Sequence, residues 1–238
     1  MSGEEDSDGI DASNPYHQAF PGQFVKPTSH LFGYEWSEGL LSPFREAAAE
    51  SLDAALVVVR QLLVEADKDT AREKGKESTV IVTDLGSGNG ALLLRARDVL
   101  GSACLCTGVE MDSALVKESR ERAVSSGVAE SVRIVQGDLL DETVWSPGIA
   151  WQGEACVEEG GCFFSVVFVY LVTEGLRKVL PLLEKLLEKG AQVISMGWEV
   201  PSFSHKLSFS GKGFYVYGSL RTQSSSISVQ ETEGQQTV

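Results

Sequence analysis

The sequence predicts an α/β protein with a doubly wound, mostly parallel sheet, an antiparallel C-terminal hairpin and an N-terminal extension that is helical and rich in aromatic residues. From Thr79 onward, short apolar runs alternate with helical patterns, which is typical of a parallel sheet with right-handed crossovers. The run Val80–Val82 is continuously apolar, as expected of a central strand buried on both faces. With 238 residues and 42% hydrophobic content, the chain can bury one substantial core.

The first predicted element is a helix that precedes the sheet. Ser42-Pro43 is a typical start signal, with Glu46 in the first turn. The helical period of the apolar residues continues to about Glu65. The sheet strands are then predicted at Val80–Val82, Cys104–Val109, Val132–Gln136, Phe163–Leu171 and Gln192–Met196, with hairpin strands near Lys206–Phe209 and Phe214–Gly218.

The helices between these strands carry recognisable start and stop signals. Asp112 and Thr173 are placed to cap two of them. Pro181 lies inside the last one and predicts a kink or two consecutive helices. The three helices are predicted to stop at Gly101, Gly127 and Gly190.

Changes in composition divide the chain. Residues 1–13 are predicted to be a disordered acidic tail and 221–238 a disordered tail rich in Ser and Gln. Residues 14–72 form an N-terminal extension with the first helix, and its aromatic run suggests either a surface strap or a flap over a ligand site. Residues 73–220 form the sheet domain. Within it, the long 141–161 loop has no predicted structure.

The charge and the cysteines limit the classes of partner and compartment. A net charge of −14 and a pI of about 4.7 disfavour nucleic acid and anionic membranes as partners. The same charge favours a basic protein, unless it serves only solubility. The four cysteines show no zinc spacing, so no metal site is predicted, and a reducing compartment is the economical interpretation. With no membrane span or targeting segment in the pattern, we expect a cytoplasmic protein.

A glycine-rich turn follows the first strand and predicts a ligand site. Gly86, Gly88 and Gly90, with Ser87 between them, permit close approach of a ligand to the N-terminus of the next helix. The spacing also satisfies the dinucleotide fingerprint, so an NAD(P)-dependent oxidoreductase is an alternative. Asp84 argues against it, because a carboxylate at the end of the strand repels a pyrophosphate and attracts a cation. S-adenosylmethionine (SAM) is such a cationic ligand, with an ammonium and a sulfonium group and no phosphate.

Three carboxylates follow three successive strands and are expected at one edge of the sheet. They are Asp84, Glu110 and Asp138. The distance of Glu110 from the glycines suits an acid that accepts hydrogen bonds from ribose hydroxyls. Asp138 can accept a hydrogen bond from an adenine amino group, and Leu139 can pack on the ring. Met111, next to Glu110, completes the predicted cofactor site.

The pattern Asp84-x-Gly86-x-Gly88-x-Gly90, with the two later acids, resembles the successive cofactor motifs of class I SAM-dependent methyltransferases over residues 79–200. The resemblance implies the Rossmann-like methyltransferase fold, SAM as cofactor and methyl transfer to an acceptor. It makes 73–220 a SAM-binding catalytic domain. A SAM-binding scaffold without activity is a further alternative.

A narrower resemblance lies downstream, in the apolar strand that ends at Tyr170-Leu171, the Pro-interrupted helix and the segment Trp198–Pro201. These features resemble the subgroup that contains the lysine methyltransferases of the ATP-synthase c-subunit and their bacterial relatives. That resemblance implies a protein lysine as acceptor. Asn89 departs from the Asp common in the glycine turn, and the 141–161 loop is extra.

Two candidate catalytic residues follow from position in the predicted sheet. Tyr170 ends the fourth strand and is predicted to line the methyl channel, the alternative being an aromatic residue of the core. Glu199, beside Trp198, ends the fifth strand and is predicted to orient an amine, the alternative being an exposed turn.

Overall fold

The computed structural model describes residues 45–70, 79–102, 104–141, 144 and 163–218 of the chain. The helices are α1 (Ala49–Thr70), α2 (Ala91–Leu100), α3 (Ser113–Ser125) and α4 (Thr173–Glu188). The strands are β1 (Thr79–Leu85), β2 (Cys104–Glu110), β3 (Val132–Gln136), β4 (Phe163–Val169), β5 (Gln192–Met196), β6 (Leu207–Gly211) and β7 (Phe214–Tyr217). One 3-10 turn, Ser204–Lys206, precedes β6.

The seven strands form one sheet in the order β3-β2-β1-β4-β5-β7-β6. The pairs from β3 to β5 are parallel, and β7 pairs antiparallel with both β5 and β6. The predicted doubly wound, mostly parallel sheet with an antiparallel C-terminal hairpin is therefore confirmed. Strand order reverses between β1 and β4, and such a switch point opens a crevice at the carboxyl ends of the strands.

Apolar side chains cover both faces of the sheet, which is why the central strands have few polar residues. On one face, Val80 and Val82 of β1 pack in a cluster with Leu56 of α1 and Leu93 of α2. On the other face, residues of β4 and β5 pack in a cluster with Leu176 and Leu183 of α4. The buried residues of α4 recur at helical spacing, while Pro181 lies on its exposed side.

Several predicted boundaries are confirmed. The Asp112 side chain accepts hydrogen bonds from the backbone N–H groups of Ala114 and Leu115, as expected of a helix cap. The stop glycines Gly101, Gly127 and Gly190 have positive φ angles of 79°, 68° and 86°.

Other boundaries were predicted wrongly. Helix α1 begins at Ala49 and runs to Thr70, so Glu46 lies before the helix and not in its first turn. Val172 occupies the cap position of α4 without a side-chain hydrogen bond, and Thr173 is already helical. Pro181 lies inside one continuous helix, which rules out two consecutive helices. Strand β4 ends at Val169, so Tyr170 follows the strand.

The remaining expectations fall in part outside the described residues. These are the two tails (1–13 and 221–238), the aromatic run of 14–36, the Ser42-Pro43 signal and most of the 141–161 loop. Cys104 and Cys106 are described, buried and free, on the same face of β2 with their Sγ atoms 3.5 Å apart. None of the described helices is both long and apolar enough to cross a bilayer.

Candidate cofactor site

A cavity of about 450 Å³ opens at the carboxyl ends of the central strands. Cavities of this size are typical of small-molecule sites. One wall comes from the glycine turn and the ends of β2 and β3, and another comes from α1, the segment before it and α2. Its lining includes Arg45, Glu46, Leu52, Asp53, Asp84, Gly86, Ser87, Asn89, Arg95, Glu110, Met111, Asp138, Leu139, Tyr170 and Leu171.

The glycine turn is shaped by its backbone angles and fixed to the neighbouring strand. Gly86, Gly88 and Gly90 have φ angles of 84°, 52° and 77°, which favour glycine over any residue with a Cβ atom. The N–H groups of Gly86 and Ser87 donate to the carbonyl of Val109 at 2.9 and 3.0 Å. The turn is thus held at the end of β2 with the N-terminus of α2 behind it.

Gly108, inside β2, was not among the residues predicted for the site. A Cβ atom there would lie 2.5 Å from the Ser87 hydroxyl and 2.8 Å from a methyl group of Leu93. A glycine within a strand signals such a close approach, and this signal was present in the sequence. Gly108 therefore provides the space in which the glycine turn packs on the sheet.

Asp84 is a buried carboxylate on the cavity wall, with 4% of its surface exposed. Burial raises the pKa of Asp84 from 3.8 to about 7, and the negative charge of Glu110 acts in the same direction. The neighbouring charge is therefore repulsive rather than compensating. A cationic group in the cavity is what would stabilise the ionised form of this side chain.

Glu110, at the end of β2, is held by backbone hydrogen bonds. Its Oε2 accepts from the N–H of Gly88 at 2.8 Å, and its Oε1 accepts from Met111 and Asp112 at 2.8 and 2.9 Å. A carboxylate has about four acceptor positions, so about one remains for a ligand. Glu110 thus ties the glycine turn to β2, and this contact between residues 22 apart was not predicted.

The end of β3 supplies the third predicted acid. Asp138 is exposed, lines the cavity and accepts a hydrogen bond from the N–H of Leu140 at 2.9 Å. Leu139 beside it is buried, whereas Met111 is 42% exposed. The structure thus brings Asp84, Glu110 and Asp138 to one cavity, as their positions at successive strand ends predicted.

The ends of β4 and β5 carry an aromatic pair. The Tyr170 and Trp198 rings stack with their centroids 5.6 Å apart and their planes at 29°. A Cβ atom at Gly197 would lie 2.9 Å from the Tyr170 ring, so this glycine makes room for it. Tyr170 lines the cavity, whereas Glu199 is exposed and does not. Of the predicted site residues, Gly88, Gly90 and Glu199 lie outside the cavity lining, and the two glycines belong to the turn that borders it.

The wall formed by α1 and α2 was not anticipated. Asp53 of α1 accepts hydrogen bonds from the Arg95 guanidinium at 2.7 and 3.1 Å, and these bonds lower the pKa of Asp53. The pair is nearly half exposed, so it contributes little to stability. No local pattern signals this contact, because its partners are 42 residues apart. No group of three or more potential metal ligands lies within the described ranges.

Residues 76–147 match a family model described as "Methyltransferase domain", which covers less than half of the chain. No curated protein gives a significant match. Among solved structures, an RNA methyltransferase from Salinibacter ruber in complex with S-adenosyl-L-homocysteine is 27% identical, with a TM-score of 0.41, and the match covers 63% of this chain and 86% of that one. A SAM-dependent methyltransferase from Geobacter sulfurreducens, also with S-adenosyl-L-homocysteine, is 20% identical, with a TM-score of 0.40 and coverage of 67% and 51%. An O-methyltransferase from Bacillus cereus is 14% identical, with a TM-score of 0.45 and coverage of 65% and 59%.

The family match coincides with the part of the sheet that forms the cofactor wall. It includes β1, the glycine turn, β2 and β3, and with them all three carboxylates at the strand ends. A methyltransferase domain is consistent with SAM as the cofactor. The region similar to a methyltransferase domain thus carries β1, β2 and β3, which form one half of the sheet.

Proposed function

We propose that the protein is a SAM-dependent methyltransferase that binds its cofactor in the cavity at the ends of β1, β2 and β3. The observation that carries this proposal is Asp84, a buried carboxylate on the cavity wall whose charged neighbour is another carboxylate. An ammonium group in the cavity would offset this unfavourable arrangement, whereas a pyrophosphate would worsen it.

The other predicted residues fit the remaining parts of the same ligand. Gly86 and Ser87 line the cavity and would contact its amino-acid end, while Gly88 and Gly90, which lie outside the lining, shape the turn. Glu110 keeps about one acceptor position, which suits a ribose hydroxyl.

The adenine end of the ligand would then lie at the end of β3. Asp138 would accept a hydrogen bond from the adenine amino group, with Leu139 and Met111 against the ring. All three residues line the cavity.

The bound cofactor supplies a methyl group that is activated by its positive sulfur. The chain has to hold the acceptor in line with that methyl group and to exclude water. Tyr170 lies on the cavity wall with Trp198 stacked behind it, and this pair suits a channel for the acceptor. We assign no proton transfer to Glu199, because it is exposed and lies outside the cavity lining.

For the acceptor we propose a lysine of a basic protein. The net charge of −14 favours a basic partner, and aromatic faces such as the Tyr170–Trp198 pair attract an alkylammonium group. The resemblance of the β4–β5 region to lysine methyltransferases points the same way. The buried free thiols of Cys104 and Cys106 fit a reducing compartment, and we propose a cytoplasmic location.

Two measurements test this proposal. We expect S-adenosylhomocysteine to raise the melting temperature of the protein, with no shift from NAD or NADP. Incubation with methyl-labelled SAM and a cell lysate should label protein bands that contain methyllysine by mass spectrometry. The variant Asp84→Asn should weaken both effects, whereas Glu118→Gln, which changes an exposed charge on α3, should keep them.

The outcomes separate the alternatives. A melting shift with NAD alone would support an oxidoreductase. A shift with S-adenosylhomocysteine but no labelled product from any lysate would support a scaffold without activity. Label on RNA or on a residue other than lysine would keep the methyltransferase and overturn the acceptor.

A further inference from the structure

The segment before α1 is tied to the glycine turn by one short hydrogen bond. The Asn89 side-chain amide donates to Oε1 of Glu46 at 2.7 Å, across 43 residues of sequence. Arg122 of α3 lies beside this contact: its Nη1 donates to the Asn89 carbonyl at 3.2 Å and is 3.8 Å from the same Glu46 oxygen. Three separate parts of the chain therefore meet at Asn89.

The hydrogen bond of Asn89 is the stronger of the two contacts to Glu46. Its donor residue is 7% exposed and the donor–acceptor distance is short, so solvent reaches this charge-assisted bond from the Glu46 side only. The Arg122 to Glu46 contact is longer, and its side chains are 37% and 55% exposed, so solvent screens most of it.

An amide at position 89 suits this contact, because it can donate one hydrogen bond and accept another. The Asn89 nitrogen donates to Glu46, while its Oδ1 accepts from the N–H of Ala91 at 3.3 Å, at the start of α2. An aspartate could make only the second of these bonds and would place a carboxylate against that of Glu46. Asn89 thus stands where an Asp is common in this turn, and its amide pairs with the acid at position 46.

The two residues line the cavity and join its two walls. The Glu46 wall also includes Arg45, Ala47 and Ala49, while Asn89 belongs to the turn that would hold the cofactor. We propose that Asn89 and Glu46 are positioning residues that hold the segment 45–49 against the glycine turn. Binding of the cofactor at the turn would then also order this wall of the cavity. This inference rests on the proposed function only for the identity of the ligand.

A charge-exchange set of variants tests the proposal, with amide hydrogen exchange of the peptide 45–56 as the readout. Asn89→Asp should accelerate its exchange about tenfold, since it replaces a charge-assisted hydrogen bond by repulsion. Glu46→Gln should have a smaller effect, because the oxygen of the new amide can still accept. The double variant N89D/E46Q should return to within about twofold of the wild type, because the amide introduced at position 46 can donate to the carboxylate introduced at position 89.

Glu50→Gln is the matched control, since Glu50 is exposed in the first turn of α1 and lies outside the cavity lining. The proposal is overturned if N89D exchanges at the wild-type rate, or if the double variant exchanges as fast as N89D. A role of Asn89 in the turn alone would give the second result, because changing residue 46 would not rescue it.

Addition of S-adenosylhomocysteine tests the coupling separately. It should slow exchange of 45–56 in the wild type and in the double variant, and slow it less in N89D. If the ligand binds and exchange of this peptide is unchanged, the coupling is refuted. If the ligand does not bind at all, the proposed function fails, while the four exchange rates without ligand still decide whether the contact exists.

Discussion

Asp84 should make cofactor binding depend on pH in the neutral range. Its pKa of about 7 means that a proton occupies the buried carboxyl in a large fraction of molecules at pH 7 when the cavity holds no cation. A ligand with an ammonium group binds the ionised form and must displace that proton. Affinity therefore falls as the pH falls below the pKa of Asp84.

The expected size of the effect follows from the same pKa. With a pKa of about 7, nearly all carboxyls are ionised at about pH 8 and about one in eleven at about pH 6, so the Kd for the ligand should rise about tenfold between these values. The change requires that the ligand ammonium keeps its proton over this range. The variant Asp84→Asn should bind about tenfold or more weakly at pH 8 and show no such slope.

Isothermal titration of S-adenosylhomocysteine at several pH values measures this directly. Experiments in two buffers with different ionisation enthalpies would also show the proton that is released on binding near pH 6. Glu118→Gln controls for the loss of one negative charge from the surface. A Kd that is constant from pH 8 to pH 6 in the wild type, or a slope that persists in Asp84→Asn, would refute the assignment of Asp84.

Four other substitutions probe the walls of the site. Gly108→Ala should lower the free energy of unfolding by about 1–3 kcal/mol and weaken S-adenosylhomocysteine binding, because its Cβ would lie 2.5 Å from the Ser87 hydroxyl; wild-type values would contradict the packing described. Glu110→Gln should cost about 1–3 kcal/mol in urea unfolding, because it leaves at least one of three backbone N–H groups without an acceptor. Tyr170→Ala should reduce methylation of the acceptor in the lysate assay while S-adenosylhomocysteine binding stays within about threefold, and Trp198→Ala should act in the same direction if the stacked pair positions the acceptor. Loss of ligand affinity as large as the loss of methylation would instead assign Tyr170 to the cofactor site.

Local patterns in the sequence were enough to predict the succession of strands and helices along the chain and the position of the carboxylates. A parallel strand ends at a predictable edge, so Asp84, Glu110 and Asp138 could be placed together from strand positions alone. The glycine turn could also be predicted from local sequence, because glycine readily adopts the positive φ angles that the turn contains.

The start of α1 could not be predicted from the sequence, for a physical reason. Ser42-Pro43 is a good local start signal, but the residues 45–48 that follow are not helical. Glu46 instead bonds with Asn89, and a tertiary contact of this kind overrides a modest local preference. The sequence contains both partners but nothing that pairs them across 43 residues.

The bonding of Glu110 is a second example of this limit. Its spacing from the glycines correctly placed it at the cavity, but the spacing does not show what its oxygens contact. In the folded chain they accept three backbone N–H bonds, one of them from the glycine turn itself. The acid is therefore part of the structure that shapes the site, in addition to its proposed role toward the ribose.

The contrast between Asp84 and Glu110 leads to a prediction about stability. Glu110 is stabilised by backbone N–H groups, whereas Asp84 is buried beside a like charge. Because folding raises its pKa from 3.8 to about 7, the folded state binds the proton more tightly than the unfolded chain. Stability from this group is therefore fully present below pH 3.8 and is lost as the pH rises through about 7.

The shift corresponds to a cost on the order of 4 kcal/mol at pH 8. Asp84→Asn removes this cost but buries an amide, so its free energy of unfolding at pH 8 should exceed that of the wild type by on the order of 1–3 kcal/mol. Urea unfolding of both proteins at pH 8 and at pH 5 measures the difference, which should shrink at pH 5, where wild-type Asp84 is protonated. A variant that is less stable than the wild type at pH 8 would show that the chain itself compensates the carboxylate, and the argument for a cationic ligand would then lose its basis.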